Sequence, residues 1–310
     1  MYRKIWVTGG TGLVGQALQG IQNEYKNKFI FTNTKECDLR DRYSVLEFAE
    51  EHNPDAIIHL AAISGGVGLK NHASIIRDNT WMNLSILEVA RVCKIKKVIM
   101  TLSTGMYANG ISNPIKEELI HYREPDKSNY GYAFSKRLIE PLIRAYREEC
   151  GLNVIGLIPN GIIGKNGNYK YNESTMVFSL VRRFYENRDN NKPIIVWGDG
   201  NPLREYTYAE DLARAYMWCL NNYDDTQILH IGSVEEYSIK DVAYMIADIM
   251  NVDKTLIQFD ASKPSGQFKK STDNSRFVGL SGFKYTPFKI ALKETIEYFI
   301  DNYDSGRIRL

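Results

Sequence analysis

Residues 7–15 read VTGGTGLVG, and what stands on either side of this stretch decides the fold. It follows the apolar run KIWV (4–7) and opens a helical period from about Leu13, with Gly9, Gly12 and Gly15 spaced three apart. Glycine at such places permits a tight turn and lets the backbone approach a pyrophosphate, which then sits at the positive end of the helix. A glycine triplet alone is often only a turn. Here a second strand-like run, KFIFT (28–32), completes a strand–helix–strand unit. Gly9, Gly10, Thr11, Gly12, Leu13, Val14 and Gly15 therefore read as a dinucleotide cradle.

Beyond this unit, YSVLEFAEEH (43–52) has helical period, DAIIHLAA (55–62) reads as a strand, and a long helix runs through NLSILEVARVC (83–93). KVIMTL (97–102), a helix from about Tyr132 and LNVIGLIP (152–159) continue the alternation. Strands separated by helices predict βαβ units, an α/β chain built on a doubly wound parallel sheet of Rossmann type. Beyond about residue 160 loop-rich stretches such as GKNGNYKYNEST (164–175) and WGDGNPLREY (197–206) break the rhythm. They predict a cofactor domain over 1–160 and a smaller substrate lobe over 161–310, with some strands and helices exchanged between the two.

Composition narrows the function class. The 310 residues are 44% apolar and 25% charged with a net charge of +2, which directs the chain to neither nucleic acid nor membrane. The four cysteines are scattered, without a metal-binding or secretory pattern, so free thiols and no metal are expected. No apolar run nears the roughly 18 residues of a membrane span, and MYRKIWV enters a strand without a signal sequence, which predicts a cytoplasmic protein.

An acidic residue at the end of the second strand would hold a ribose 2′-hydroxyl, but here stand Thr32, Asn33, Thr34 and Lys35. A cation among hydroxyls suits a 2′-phosphate, which favours NADPH over NADH; the plain alternative for Lys35 is a solvated surface lysine. Asp38 in CDLRD (37–41) is placed to bond an adenine amino group or to begin a helix.

The chemistry is carried by LSTGMY (102–107) and YGYAFSK (130–136). Tyr132 and Lys136 stand four apart, hence on one helical face. A free phenol titrates near 10, and an adjacent ammonium favours its ionised form, which makes the pair a candidate general acid or base. A serine ending the fourth strand, this Tyr and Lys, and the glycine turn together resemble the active-site set of the extended short-chain dehydrogenase/reductase family. The resemblance implies that Ser103, with Thr104, orients a substrate oxygen, Tyr132 transfers a proton, and Lys136 holds the nicotinamide ribose. Through IIHLAA (57–62), SNYGYAFSKR (128–137), WGDGNPLREY and SGQFKK (265–270) the chain is most similar to the fucose synthase branch of that family. That branch reduces GDP-linked 4-keto sugars with NADPH. The same resemblance adds Leu39, Leu60, Ala61, Ala62, Pro159, Asn160, Gly161 and Ile162 to the cofactor site. It assigns Arg183, Trp197, Arg204 and Lys270 to the nucleotide sugar; Arg and Lys suit a diphosphate and Trp a stacked base. It further implies a homodimer through helices around Leu84–Val92 and Leu138–Tyr146, although burial within one chain explains their apolar faces equally well.

The chain also departs from that branch. Fucose synthases invert C3 and C5 before reducing C4, and the resemblance places the cysteine for this at Gly105 and the histidine at Thr175. Neither residue titrates near neutrality. Close to the sugar pocket, the segment around ISGGVGLKNH (63–72) is shorter than in relatives, and Pro159-Asn160-Gly161 replaces a Pro-Thr-Asn sequence. The expectation is a C4 ketoreductase of a GDP-4-keto-6-deoxy hexose or heptose for bacterial surface polysaccharide, with epimerisation lost or left to a separate enzyme. The alternatives are a bifunctional fucose synthase using other acid and base groups, and a non-catalytic cofactor-binding protein.

Overall fold

The computed structural model describes residues 2–64, 71–171, 173–189, 192–263 and 267–310. The shortening expected between Ile63 and His72, and the start of SGQFKK, fall on residues outside those described.

The first part of the chain runs β1 (Lys4–Thr8), α1 (Leu13–Ile21), β2 (Lys28–Thr32), α2 (Arg42–His52), β3 (Ala56–His59), α3 (His72–Val92), β4 (Lys97–Thr101), α4 (Tyr130–Arg137), α5 (Ile139–Cys150) and β5 (Val154–Ile158). Next come β6 (Ile162–Ile163), α6 (Met176–Asn187), β7 (Ile194–Trp197), β8 (Leu203–Glu205), β9 (Thr207–Tyr208), α7 (Ala209–Asn222) and β10 (Leu229–His230). β11 (Glu236–Ser238), α8 (Ile239–Met250), β12 (Ile257–Asp260), α9 (Ser275–Ser281) and α10 (Phe288–Asn302) complete the order. Strands β10, β5, β4, β3, β1 and β2 lie side by side in one parallel sheet. The strand order reverses beside β1, and the crevice beyond the carboxyl ends of the strands at that point is where such sheets take ligands.

Both faces of the sheet are covered, which is why its strands read as continuous apolar runs rather than alternating ones. Trp6, Ile57, Val98 and Met100 bury into a core with α2, α3 and α5. Ile5, Val7, Ile58 and Ile99 face the other way, against α1 and α7. Thus α7 and β10, which lie after residue 160, return to the cofactor half: Leu212, Tyr216 and Leu220 of α7 cover sheet that α1 leaves open. A third core, with Phe178, Phe184, Ile246, Leu292 and Phe299, unites α6, α8 and α10 in the second lobe. On α3, Ile86, Leu87 and Ala90 are buried within the chain while Trp81 and Val92 are exposed. Among the described residues no helix is long and apolar enough to cross a membrane.

Candidate active site

The turn after β1 is shaped by backbone proximity. Gly9 takes φ +70°, and a Cβ there would stand 2.8 Å from the Ala61 nitrogen. A Cβ on Gly15 would stand 2.5 Å from the Gly9 carbonyl oxygen. Gly12 precedes α1 without any side-chain cap, and the first turn carries no acidic residue. The leading N–H groups of α1 therefore keep their capacity to bind an anion. Beyond them opens a cavity of about 320 Å³ lined by Thr11, Asn33, Thr34, Asp38, Leu39 and Leu60–Ala62. Backbone donors on one side and apolar groups on the other fit a dinucleotide.

Around β1 and β2, Lys35, Val14 and Asp38 sit differently from the reading of the sequence. Lys35 is exposed and does not line the cavity. Val14 is buried in the core under the sheet, leaving only its backbone for a ligand. Asp38 is clamped by Arg40, whose Nε and Nη2 donate to its carboxylate at 2.9 and 2.6 Å, and this holds Asp38 below the usual carboxylate range. Arg40, Met82 and Arg309 line the cavity and were not singled out. Arg40 lies in the quoted CDLRD; for Arg309 no local signal existed.

The reacting groups gather where β4 ends. Ser103 begins a single helical turn, Thr104–Met106, by accepting from the Gly105 N–H at 3.1 Å, and both its hydroxyl and the Tyr132 ring stand beside Gly105. Lys136 is buried, donates to the Thr101 carbonyl at 2.7 Å, and lies 5.9 Å from the centre of the Tyr132 ring. Burial pushes Lys136 down to about 8. The expected lowering of Tyr132 by its neighbour is not found: burial raises the phenol, and the Ser103 hydroxyl opposes it. The ammonium is directed to a carbonyl instead of the phenolic oxygen, so desolvation prevails.

Behind these groups a buried polar chain fixes α4. His59 bridges the Thr8 hydroxyl at 2.8 Å and Asn83 at 3.1 Å, and burial, its largest influence, pushes it down to about 3, so the ring is neutral. The Asn83 and Asn79 amides donate to the Ser135 carbonyl and hydroxyl, and the Ser135 hydroxyl donates to the Tyr132 carbonyl at 2.8 Å. Every link is a satisfied hydrogen bond in low dielectric, which favours one orientation of Tyr132 and Lys136.

A second cavity, about 330 Å³, brings together Thr104, Gly161, Thr175, Arg204 and Lys270, all named from sequence, with Glu205 and Tyr206, which were not. Arg204 donates to the Leu203 and Gln267 carbonyls, and burial lowers it. Lys270 is pushed down to about 8 by burial, Arg204 adding in the same direction and Asp126 opposing. Two desolvated cations side by side suit a polyanionic ligand. The Tyr206 hydroxyl is buried without a partner among the described residues, a donor open to such a ligand.

Asn160 and Ile162 also line this cavity, but the Asn160 amide is engaged by Glu205, Ser233 and Thr207, so its side chain serves the fold. Pro159 is buried and lines neither cavity. Arg183 and Trp197 pair with each other, guanidinium to ring centre 5.7 Å, outside the cavity lining, with Trp197 half exposed.

The two departures face this site. A Cβ on Gly105 would lie 3.3 Å from the Ser103 hydroxyl and 3.6 Å from the Tyr132 ring. Thr175 begins α6 with no side-chain cap bond and lines the second cavity.

The profile of the NAD dependent epimerase/dehydratase family matches residues 5–232. GDP-L-fucose synthase of Dictyostelium discoideum is 36% identical over 313 aligned residues, covering 98% of each chain. The crystal structure of a GDP-L-fucose synthetase from Naegleria fowleri bound to NADP is 35% identical and superposes with a TM-score of 0.92 over 99% of this chain and 95% of that one. A GDP-6-OMe-4-keto-L-xylo-heptose reductase from C. jejuni shares the fold, with a TM-score of 0.90 at 22% identity over 97% of this chain and 98% of that one. With a glycine cradle, a Ser-Tyr-Lys set and matches along nearly its whole length, this chain belongs to the NAD dependent epimerase/dehydratase family.

Proposed function

We propose that the chain is an NADPH-dependent oxidoreductase that reduces the C4 ketone of a GDP-linked 4-keto-6-deoxy sugar, hexose or heptose, without inverting C3 or C5. The product is a sugar for bacterial surface polysaccharide, and inversion, where needed, falls to a separate enzyme. NADP in the Naegleria relative and the GDP-sugar named for the Dictyostelium relative support the ligand classes.

NADPH, when bound, supplies the hydride. Ser103 and Thr104 orient the ketone. Tyr132, kept protonated by burial, is in the state that reduction requires and gives its proton to the C4 oxygen. Lys136 would hold the ribose, and Arg204 and Lys270 would bind the diphosphate.

The reading without epimerisation is carried by one observation: Gly105 lies against Ser103 and Tyr132, and Thr175 lines the neighbouring cavity, where neither offers a group that titrates near neutrality. Glu205 lines the same cavity, but Thr272 N–H, Thr272 hydroxyl and Asn160 amide already donate to it at 2.9, 2.7 and 2.9 Å. The overall likeness to named fucose synthases favours a second reading, the bifunctional enzyme. NADPH oxidation with GDP-4-keto-6-deoxymannose in D₂O, alone and after treatment with a separate 3,5-epimerase, decides between them. In the untreated arm, turnover with no deuterium at C3 and C5 by NMR is expected, and deuterium there establishes the bifunctional enzyme; the epimerase-treated arm reports only whether the inverted sugar is reduced.

A further inference from the structure

The cofactor cavity holds more phosphate-binding capacity than its glycine turn explains. Backbone N–H groups at the start of α1 suffice for a pyrophosphate, whereas the end of β2 offers only the neutral Asn33 and Thr34. A 2′-phosphate carries close to two further charges and calls for a cation. Lys35, the cation nearest in sequence, is exposed and outside the cavity. Arg40 lines it but is compensated by Asp38 at 2.6 Å and Asp78 at 3.7 Å.

Arg309, also exposed, differs from Lys35 in lining the cavity and from Arg40 in having no paired carboxylate among the described residues. It lines the same cavity as Thr11, Gly12, Asn33 and Thr34, and no described carboxylate lies within ion-pair distance of it. Its placement is built rather than incidental. The Arg309 carbonyl accepts from the Tyr169 N–H at 2.9 Å, Asn168 and Arg309 form a β-bridge, and its Nη2 donates to the Asn166 carbonyl at 2.7 Å. Only part of the guanidinium is used in that bond, leaving further N–H groups free for an anion.

We propose that Arg309, delivered to the cofactor cavity by the segment paired with Asn168, is the cation that recognises the adenosine 2′-phosphate and sets the preference for NADPH over NADH. The inference rests on NADPH as cofactor. Because the segments carrying Asn166, Asn168 and Arg309 follow β6 and α10, the cofactor would be gripped from outside the βαβ unit that holds its pyrophosphate.

The test is a pair of fluorescence titrations, NADPH and NADH, on the wild type, Arg309→Ala and Arg309→Lys, without sugar substrate. Loss of a charge-assisted bond to phosphate predicts that Arg309→Ala weakens NADPH by ~10- to 100-fold and leaves NADH within about twofold, with Arg309→Lys between. Equal weakening of both cofactors would mean that the guanidinium meets the shared pyrophosphate or only supports the fold, and would overturn the proposal, as would no change in either. A wild type that binds the two equally would refute the NADPH reading itself, a result distinguishable because it appears before any substitution. Melting curves of the variants confirm that the compared proteins are folded.

Discussion

The cavity beside α1 is bounded by a glycine turn and closed by Asn33, Thr34, Leu60–Ala62 and Arg309, while the cleft between Thr104 and Lys270 is lined by Thr175, Arg204, Glu205 and Tyr206. The first is shaped by where a Cβ cannot go: Gly9 lies against Ala61 and Gly15 against Gly9. The second is shaped by where charge and hydroxyl have been put: Arg204, Lys270, Tyr206, Thr175. A turn hemmed in by backbone tolerates little change, whereas a cleft lined by polar side chains can exchange them, as the proposed reading of Gly105 and Thr175 supposes. The difference teaches why the cofactor class is easier to assign than the sugar.

The sharpest way to separate the regions is Tyr132→Phe, which removes one oxygen beside Ser103 and nothing from the cradle. Reduction should fall by ~10²- to 10⁴-fold, the usual worth of a positioned acid. NADPH affinity, read by fluorescence, should stay within about twofold. Retained turnover would remove Tyr132 from the reaction.

The reverse experiment is Gly15→Ala. Its Cβ meets the Gly9 carbonyl oxygen at 2.5 Å and Gly10 at 2.7 Å, both backbone atoms, so the turn must move. NADPH affinity should fall about tenfold or more, with roughly 1–3 kcal/mol lost from stability by crowding. Gly20→Ala on the same helix is the control, since nothing lies within 4 Å of its Cβ; it should gain about 0.5–1 kcal/mol and leave affinity unchanged. An intact affinity in Gly15→Ala would show the cradle to be less constrained than its geometry implies.

The same contrast accounts for what could be read from sequence. The cradle was legible because its constraints are local: glycines three apart between a strand and a helix, and hydroxyls at the end of the next strand. Ser103, Tyr132 and Lys136 were legible through their order along the chain. Arg309 was not, because nothing near it in sequence signals that pairing with Asn168 and Tyr169 brings it to the cofactor cavity. Lys35 misled for the converse reason: adjacency to Thr34 does not determine where a side chain points. Nor did sequence show that burial, and not Lys136, governs Tyr132, since desolvation depends on atoms contributed by the whole fold. Glu205 stood beside Arg204 in a quoted motif, yet its role depends on Thr272 and Asn160, which only the folded chain brings to it.

Glu205 is also where the two regions are joined, and the smallest expected effect lies there. Its carboxyl accepts from Asn160, which follows β5 of the cofactor half, and from Thr272 near the sugar cleft. Burial, only partly offset by these donors, pushes it up to about 7, above the ~4.3 of an unfolded glutamate. Between those values the folded chain holds a proton that the unfolded chain has released, so stability falls as pH rises through the window and levels off above about 7. Glu205→Gln stays neutral throughout and should lose that slope. Thermal melts from about pH 5 to about pH 8 should therefore show the wild type losing roughly 1–3 kcal/mol relative to the variant. A difference that stays constant across that range would mean the carboxylate is ionised throughout, and the joint would then be a fixed charge held by three donors. Run alongside, the D₂O assay on Glu205→Gln reports on the cleft itself: if the wild type places deuterium at C3 or C5 and the variant does not, Glu205 is the missing base, and the cleft has kept the activity that Gly105 and Thr175 argue it has lost.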